Sequence, residues 1–482
     1  MPVTGYQLAV PATSMNATIA ITGRSLHRVA VESAVWLLLA ALLVETWLVK
    51  GILPPCRVSG GSMAESFPGR RRCVVCADCG FAFSCGVDRP PLQPRAVCPN
   101  CGYADNDLAA AFELAGRRLL IRRAAFLVRG PRRWEVVALR QPTQAEKIAI
   151  KRVVGLPGET IEIRGGDVYV NGLLSRKSLA EQRGLVLPVH DSAHRPRLEP
   201  APPPRWRPAA PDSRWEFDAG SFRRTTAAEN EPIDWLVYHH RRRRAGEFVE
   251  SPIQDLYGYN QSRPRRDEDV HAVADLLLSF WLTRVSPGGT VYIRASDGGA
   301  ATAARLRFDG DQIHCEALHA DHPTSPSKKG ENTAGQASSG TRTSRDRLFQ
   351  WDAIPGAAGS ASARGCRHLI EVSLIDGRFL LAIDGRTVFD IPLDRSAGSP
   401  SPSATPFAVG VQGLAASLDG LRIWRDIYYT NPIGSRPRGP VRLAADEYFV
   451  LGDNSPVSED SRHWPDGGVV NANLLLGKVL DP

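Results

Sequence analysis

The chain has 482 residues, 43% of them hydrophobic and 23% charged, which is ample for about three domains and more than one core. Its formal net charge of +8 suits a protein that lives beside anionic lipid. The arginine runs at 70–72 and 241–244 lack interleaved aromatic platforms, so they read as solvated or headgroup-facing and no nucleic-acid partner is expected.

After an N-terminal arm, residues 1–28, the first element is a transmembrane helix over 29–49. About 21 helical residues at 1.5 Å each reach roughly 30 Å, the thickness of a hydrocarbon core. Glu32 and Glu45 fall near its two ends and Trp47 suits an interfacial belt. A cleaved signal peptide is the competing reading, but the preceding arm is long and no small-x-small site occurs between the helix and Ser62. Arg24 and Arg28 on one side balance Lys50 and Arg57 on the other, so charge alone leaves the orientation open.

Residues 50–69 then carry Val58-Ser59-Gly60-Gly61-Ser62-Met63, which in isolation is an ordinary turn. In residues 70–110, Cys76-Ala77-Asp78-Cys79-Gly80 and Cys98-Pro99-Asn100-Cys101-Gly102 form two C-x-x-C-G knuckles. This is the spacing of a zinc ribbon in which Cys76, Cys79, Cys98 and Cys101 hold one structural ion and leave no open catalytic position. Cys73 and Cys85 keep disulfides open as the alternative, and Cys315 and Cys366 read as core residues or a pair.

Residues 111–172 alternate or run apolar like strands at 116–121 and 134–139, and then comes Ile150-Lys151-Arg152-Val153-Val154-Gly155-Leu156-Pro157-Gly158-Glu159. Lys151 sits in an apolar run, the setting that desolvates an ammonium and lowers its pKa. A hairpin over 160–170 ends in the Asn171-Gly172 turn. Residues 173–210 read as an extended, solvated Pro/Arg-rich linker, and 211–430 as an antiparallel β-sandwich whose hairpins turn at Asp376-Gly377 and Asp384-Gly385. Within it, residues 321–347 read as a disordered loop. The last segment, 431–482, places an apolar strand before Gly452-Asp453-Asn454, with Ser458, Asp460 and Arg462 a few positions later.

Together the three segments around Ser62, Lys151 and Gly452–Arg462 resemble type I signal peptidases, membrane-bound Ser-Lys proteases that cut signal peptides from exported proteins. The resemblance implies Ser62 as nucleophile, Lys151 as general base, Ser458 orienting the lysine amine, Asp460 and Arg462 as a supporting ion pair, and Gly452, Asp453 and Asn454 shaping the loop behind them. It places Val58, Met63, Phe67 and Ile150 around shallow apolar pockets for small substrate side chains. Two departures stand out: Gly60 replaces the serine common two positions before the nucleophile, and the proline usual after the Ser-Met pair is absent, Ala64-Glu65-Ser66-Phe67 standing there instead. Ser455 and Glu459 read as solvated turn residues.

The strand order of 211–430 resembles concanavalin A-like or laminin-G-like jelly rolls related to sugar-processing hydrolases, which implies a carbohydrate or other surface ligand. The expected fold is thus mainly β: a membrane helix and a signal-peptidase β-rich core, interrupted by a zinc-ribbon-like module and a jelly-roll-type sandwich. The implied partners are signal peptides and the lipid bilayer, with no catalytic cofactor and a structural Zn2+. The implied location is the cytoplasmic membrane, with a single crossing and the catalytic part outside. A surface binding protein with a degenerate peptidase core is the alternative, and the intact set of site residues stands against it.

Overall fold

The computed structural model describes residues 23–88, 90–91, 93–218, 220–225, 231–244, 247–255, 259, 270–286, 288–298, 301–309, 312–320, 345–350, 367–393, 401–430 and 439–480. The chain divides into two compact units, Met1–Pro55 and Cys56–Pro482. In the first, the helix Gly23–Leu43 continues as a wider π-helical stretch, Val44–Ile52. Its Leu- and Ala-rich composition favours helix, and Arg28–Trp47 is long and apolar enough to cross a membrane. The expected arm lies outside the described residues up to residue 22; from Gly23 it is already helix.

The second unit is built on a seven-stranded sheet in the order Pro55–Arg57, Arg118–Arg122, Leu475–Leu480, Val136–Gln141, Gln144–Gly155, Glu447–Leu451, Val470–Asn471. Its central strands are apolar on both faces, Val137, Val153 and Val450 being fully buried, because both sides are covered. A four-stranded sheet, Leu173–Leu174, Asp167–Val170, Thr160–Arg164 and Val441–Arg442, leans on it. Asn171 and Gly172 turn at φ 51° and 81°, the left-handed pair that a tight hairpin turn demands.

The cysteine module is a three-stranded sheet, Ala82–Gly86, Arg71–Val75 and Glu113–Leu114, with a small hairpin of Arg95–Ala96 and Asn106–Asp107. The pairing of Glu113–Leu114 carries the module beyond residue 110.

The large insertion forms two antiparallel sheets, of eight and seven strands, around one core that includes Leu236, Phe280, Leu306, Phe379, Phe407 and Leu418. The Asp376-Gly377 and Asp384-Gly385 turns join successive strands with positive φ at all four residues. Residues 321–344 and Cys366 lie outside the described residues, whereas 345–347 open the strand Arg345–Gln350.

Two expectations need correction. Residues 173–193 are folded rather than a solvated linker. Ser178 and Glu181 close a capping box on the short helix Leu179–Arg183, Leu179, Gln182 and Leu185 are buried, and Leu187–Asp191 pairs with Ala416–Arg425. The proline-rich composition is concentrated after residue 193, and even there Arg197 and Leu198 donate backbone N–H bonds to Asp78 of the cysteine module. The arginine run at 241–244 is a strand paired with Glu247–Glu250, and Arg241 is buried. Asp376 is also buried: its turn is packed against Lys177, whose Nζ lies 2.5 Å from Asp376 Oδ1 and 3.0 Å from Asp426 Oδ2.

Those contacts also tie the insertion to the seven- and four-stranded sheets. Ile427 and Tyr429, at its exit, share a core with Trp134, Val154, Ile161 and Phe449.

Candidate active site

Ser62 lies in a compact turn directly after Val58, whose N–H donates to the Arg117 carbonyl. Ala64 N–H closes on Gly61 O and Phe67 N–H on Met63 O, so the turn holds itself while Met63 anchors it in a core with Leu119, Ile121, Val136 and Ala138. The last loop locks it from behind: Asn454 N–H donates to Ser62 O and Asn454 Nδ2 to Gly61 O. Gly452 has no room for a Cβ, which would overlap the Ser62 carbonyl and Ser458 Oγ.

Lys151 comes from the long strand Gln144–Gly155, where it pairs with Val137, and its side chain is 3% exposed. Its Nζ lies 2.8 Å from Ser62 Oγ, and no carboxylate pairs with it among the described residues. Burial is the main cause that lowers its pKa to about 8; Asp460 and Asp453 oppose this and Arg462 assists it. Near neutrality such an amine can therefore shed its proton and take the serine's.

The next residue, Arg152, points to the other face of the strand and grips Asp453 with Nε–Oδ1 of 2.8 Å and Nη2–Oδ2 of 2.6 Å, both side chains being buried. Asp453 thus does more than shape a loop. Arg152 was missed by sequence reasoning, although strand alternation next to Lys151 was the available signal.

Asp460 and Arg462 form a second buried pair, Nη2–Oδ2 of 2.7 Å, and Asp460 Oδ2 also accepts the Gly452 N–H. Burial alone would raise the Asp460 carboxyl, but Arg462 overrides it and holds the group well below the usual carboxylate range. Arg462 Nη1 reaches back to Thr430 O and Ser455 Oγ, and Thr430 N–H donates to Ser455 Oγ. Ser455, expected in solvent, is therefore a buried hub of this network, whereas Glu459 is exposed. Ser458 Oγ is buried without a hydrogen-bond partner and makes no bond to Lys151.

A groove of about 610 Å³ runs over the pair and is lined by Val58, Met63 and Ile150 among others, but not by Phe67, which packs behind it. The Ser62 backbone N–H makes no hydrogen bond with the described residues, leaving it available to an oxyanion. The Gly61 N–H is occupied instead, donating to Asp88 Oδ2 at 3.0 Å. Asp88 belongs to the cysteine module, and the ring of Tyr259, from the large insertion, covers Gly61 and Gly86. Both inserted modules thus touch the Ser62 turn, through residues that carry no motif.

The four thiols of Cys76, Cys79, Cys98 and Cys101 lie within 4.8 Å of one another, with Cys76 to Cys101 at 3.6 Å and Cys79 to Cys98 at 3.7 Å. None of the eight described cysteines is disulfide-bonded. Tetrahedral Zn–S bonds of about 2.3 Å put sulfurs about 3.8 Å apart, so the donor set fits that ion.

The profile of the signal peptidase family, peptidase S26, matches residues 30–193 and 425–481. Curated relatives are a probable signal peptidase I-2 of Synechocystis sp., 41% identical over 61 residues, and a signal peptidase I of Leptolyngbya laminosa, 38% identical over 63; each match covers 11% of this chain. A signal peptidase I V of Bacillus subtilis is 39% identical over 57 residues, 12% of this chain. The chain spans 28%, 30% and 33% of these relatives, less than two thirds in each case. Among solved structures, a carbohydrate-binding module of Bacillus subtilis covers 45% of this chain and 93% of its own at 10% identity and a TM-score of 0.23. A Caenorhabditis elegans galectin covers 31% of this chain and 81% of its own at 12% identity and a TM-score of 0.18. Both scores are too low to carry an argument. What the comparisons establish is a signal-peptidase-like sequence in two pieces, interrupted by residues 194–424.

Proposed function

We propose that the chain is a membrane-bound signal peptidase, a serine endopeptidase that cleaves exported preproteins after small residues. The observation that carries this reading is the 2.8 Å contact between Ser62 Oγ and a buried Lys151 Nζ that has no carboxylate partner. In the proposed reaction, neutral Lys151 takes the Ser62 proton as Oγ bonds to the scissile carbonyl carbon. The Ser62 N–H receives the developing oxyanion. Lys151 ammonium then returns its proton to the leaving amine as the C–N bond breaks; a water deprotonated by the same lysine next bonds to the acyl carbon, and as the Oγ–C bond breaks Ser62 Oγ takes that proton back from the lysine. Arg462 and Asp460 keep the lysine's surroundings ordered. Ser458, lacking a partner, orients the amine once its proton has moved. Val58, Met63 and Ile150 leave shallow apolar space that suits Ala, Gly or Ser beside the scissile bond.

The cysteine module is proposed to hold one structural zinc through Cys76, Cys79, Cys98 and Cys101, which would add to its folding energy. The helix around Arg28–Trp47 would anchor the chain in the cytoplasmic membrane in a single crossing, with the second unit outside, where exported substrates emerge.

The test is cleavage of a preprotein carrying an Ala-x-Ala site by wild type, Ser62→Ala and Lys151→Met. Loss of about 10³-fold or more is expected in both variants with unchanged circular dichroism. Cleavage retained by either variant would remove the dyad from consideration.

A further inference from the structure

A second cavity, of about 370 Å³, opens where the cysteine module, the proline-rich connector and the first strands of the two-sheet body meet. Trp206, Phe248 and a series of prolines make much of its wall apolar. Its charge is one-sided: Arg195, Arg205 and Arg241 face a single lining carboxylate, Glu199.

The three arginines differ in what holds them. Arg205 is committed, donating from Nη1 to Tyr238 Oη at 3.1 Å and from Nη2 to Arg241 O at 3.0 Å. Among the described residues Arg195 has no acidic partner, and it lies over the Phe217 ring, 3.0 Å from its centroid. Arg241 is 7% exposed, its Nε is buried without a partner, and among the described residues its guanidinium makes no hydrogen bond or ion pair; Glu250, opposite it on the paired strand, favours its charge only from beyond bonding reach. In the same wall, the indole Nε1 of Trp206 is buried without an acceptor. A buried cation and a buried donor left unpaired are both costly, and an acceptor brought in from outside relieves both. The arginines also keep the neighbouring His190 and His240 neutral: burial is the main cause, and Arg205 and Arg241 add to it in both. The fixed positive charge of the wall is therefore that of its guanidinium groups.

We propose that this cavity binds a small organic oxyanion, a carboxylate or phosphate on an apolar body, with Arg241 and Arg195 as charge partners and the Trp206 side of the wall holding the body. The competing account lies in the same wall: Cys101 lines it, and a zinc bound by four thiolates would carry surplus negative charge that the arginines could balance.

The test uses the full-length protein in detergent, titrated by calorimetry with benzoate and phenyl phosphate, and with benzyl alcohol as the uncharged control. Binding of either anion at least about tenfold tighter than the alcohol, weakening as salt rises, is expected. Arg241→Gln should lose about tenfold or more of that affinity with its zinc content unchanged. Arg195→Gln, more exposed and safer to fold, should lose a smaller share. Equal affinity for the alcohol, or undiminished anion binding in both variants, would overturn the proposal. So would Arg241→Gln losing zinc while wild type binds neither anion, which would assign the arginines to the thiolates. None of these readouts depends on peptidase activity.

Discussion

Lys151 and Lys177 are both buried, 3% and 5% exposed, yet their surroundings drive them in opposite directions. Lys151 meets a neutral hydroxyl, and burial brings its pKa down to about 8. For Lys177 burial acts the same way, but Asp426 and Asp376 override it and hold the amine above its ordinary value, with the Trp134 ring 4.9 Å away. Burial alone therefore does not make a lysine a base; the absence of a carboxylate in bonding reach does. The protein contains both arrangements, one suited to moving a proton and one suited to clamping the inserted domain to the sheets that carry Lys151.

The largest expected effect comes from swapping each lysine for methionine. Lys177→Met strands Asp376 and Asp426 in the interior and should destabilise the protein by about 3–5 kcal/mol in urea unfolding. Lys151→Met removes a buried amine that has no carboxylate partner among the described residues and should stabilise at pH 7 by up to about 3 kcal/mol. Like-signed changes would collapse the contrast.

The second test is pH. The folded pKa of Lys151, about 8, lies below its unfolded value of 10.5. The unfolded chain thus binds more protons between these values, and stability attributable to Lys151 should rise with pH across that window and be lowest below pH 8. Peptide cleavage should rise with pH through about 8, because the neutral amine is the base. Asp426 carries the opposite sign: burial raises its carboxyl to about 6, so its contribution should fall as pH climbs from about 4 to 6. A cleavage profile that rises only near pH 10 would rule out a desolvated Lys151.

A smaller effect is expected when the charges around Lys151 are altered one at a time. Asp460 raises the lysine's pKa and Arg462 lowers it. Asp460→Asn should therefore move the acidic limb of the rate profile down, and Arg462→Ala should move it up, each by about half to one unit. Arg462→Ala should also loosen Ser455 and Thr430, which it holds. Shifts of the same sign in both variants would show that repacking, not charge, governs the amine.

The smallest effect concerns Asp88. Asn can still accept the Gly61 N–H, so Asp88→Asn should change kcat/KM by no more than about threefold, while Asp88→Ala should cost about tenfold by freeing the nucleophile turn. Equal losses in the two variants would mean that the carboxylate's charge matters more than its grip.

Much of this was readable before any fold was known, though unevenly. The Asn171-Gly172, Asp376-Gly377 and Asp384-Gly385 turns were legible because left-handed backbone restricts residue choice locally. The strands at 116–121 and 134–139 were legible from their apolar patterning, and the segments that meet at Ser62 and Lys151 from their resemblance to signal peptidases. Residues 173–193 were misread because proline- and arginine-rich composition just downstream outweighed a capping box at Ser178-Leu179-Ala180-Glu181. Ser455 was misread because its burial depends on Arg462 and on Thr430, 25 positions away. Asp88 and Tyr259 reach the nucleophile turn from inserted modules by contacts that no motif encodes.

The amino-acid sequence by itself determined the local requirements: an apolar stretch of membrane length, strands with their turns, paired C-x-x-C knuckles, and a serine and a lysine each in its own short segment. These arise from short-range sterics, periodicity and side-chain chemistry, which act over a few residues. Only the tertiary structure decided that Lys151 would have no carboxylate partner among the described residues while Lys177 would have two, that Arg152 would take Asp453, and that the large insertion would be clamped to the sheets that carry Lys151. Those outcomes rest on charges separated by up to hundreds of residues in sequence and by about 3 Å in space. Their energies depend on burial, which no single segment sets for itself.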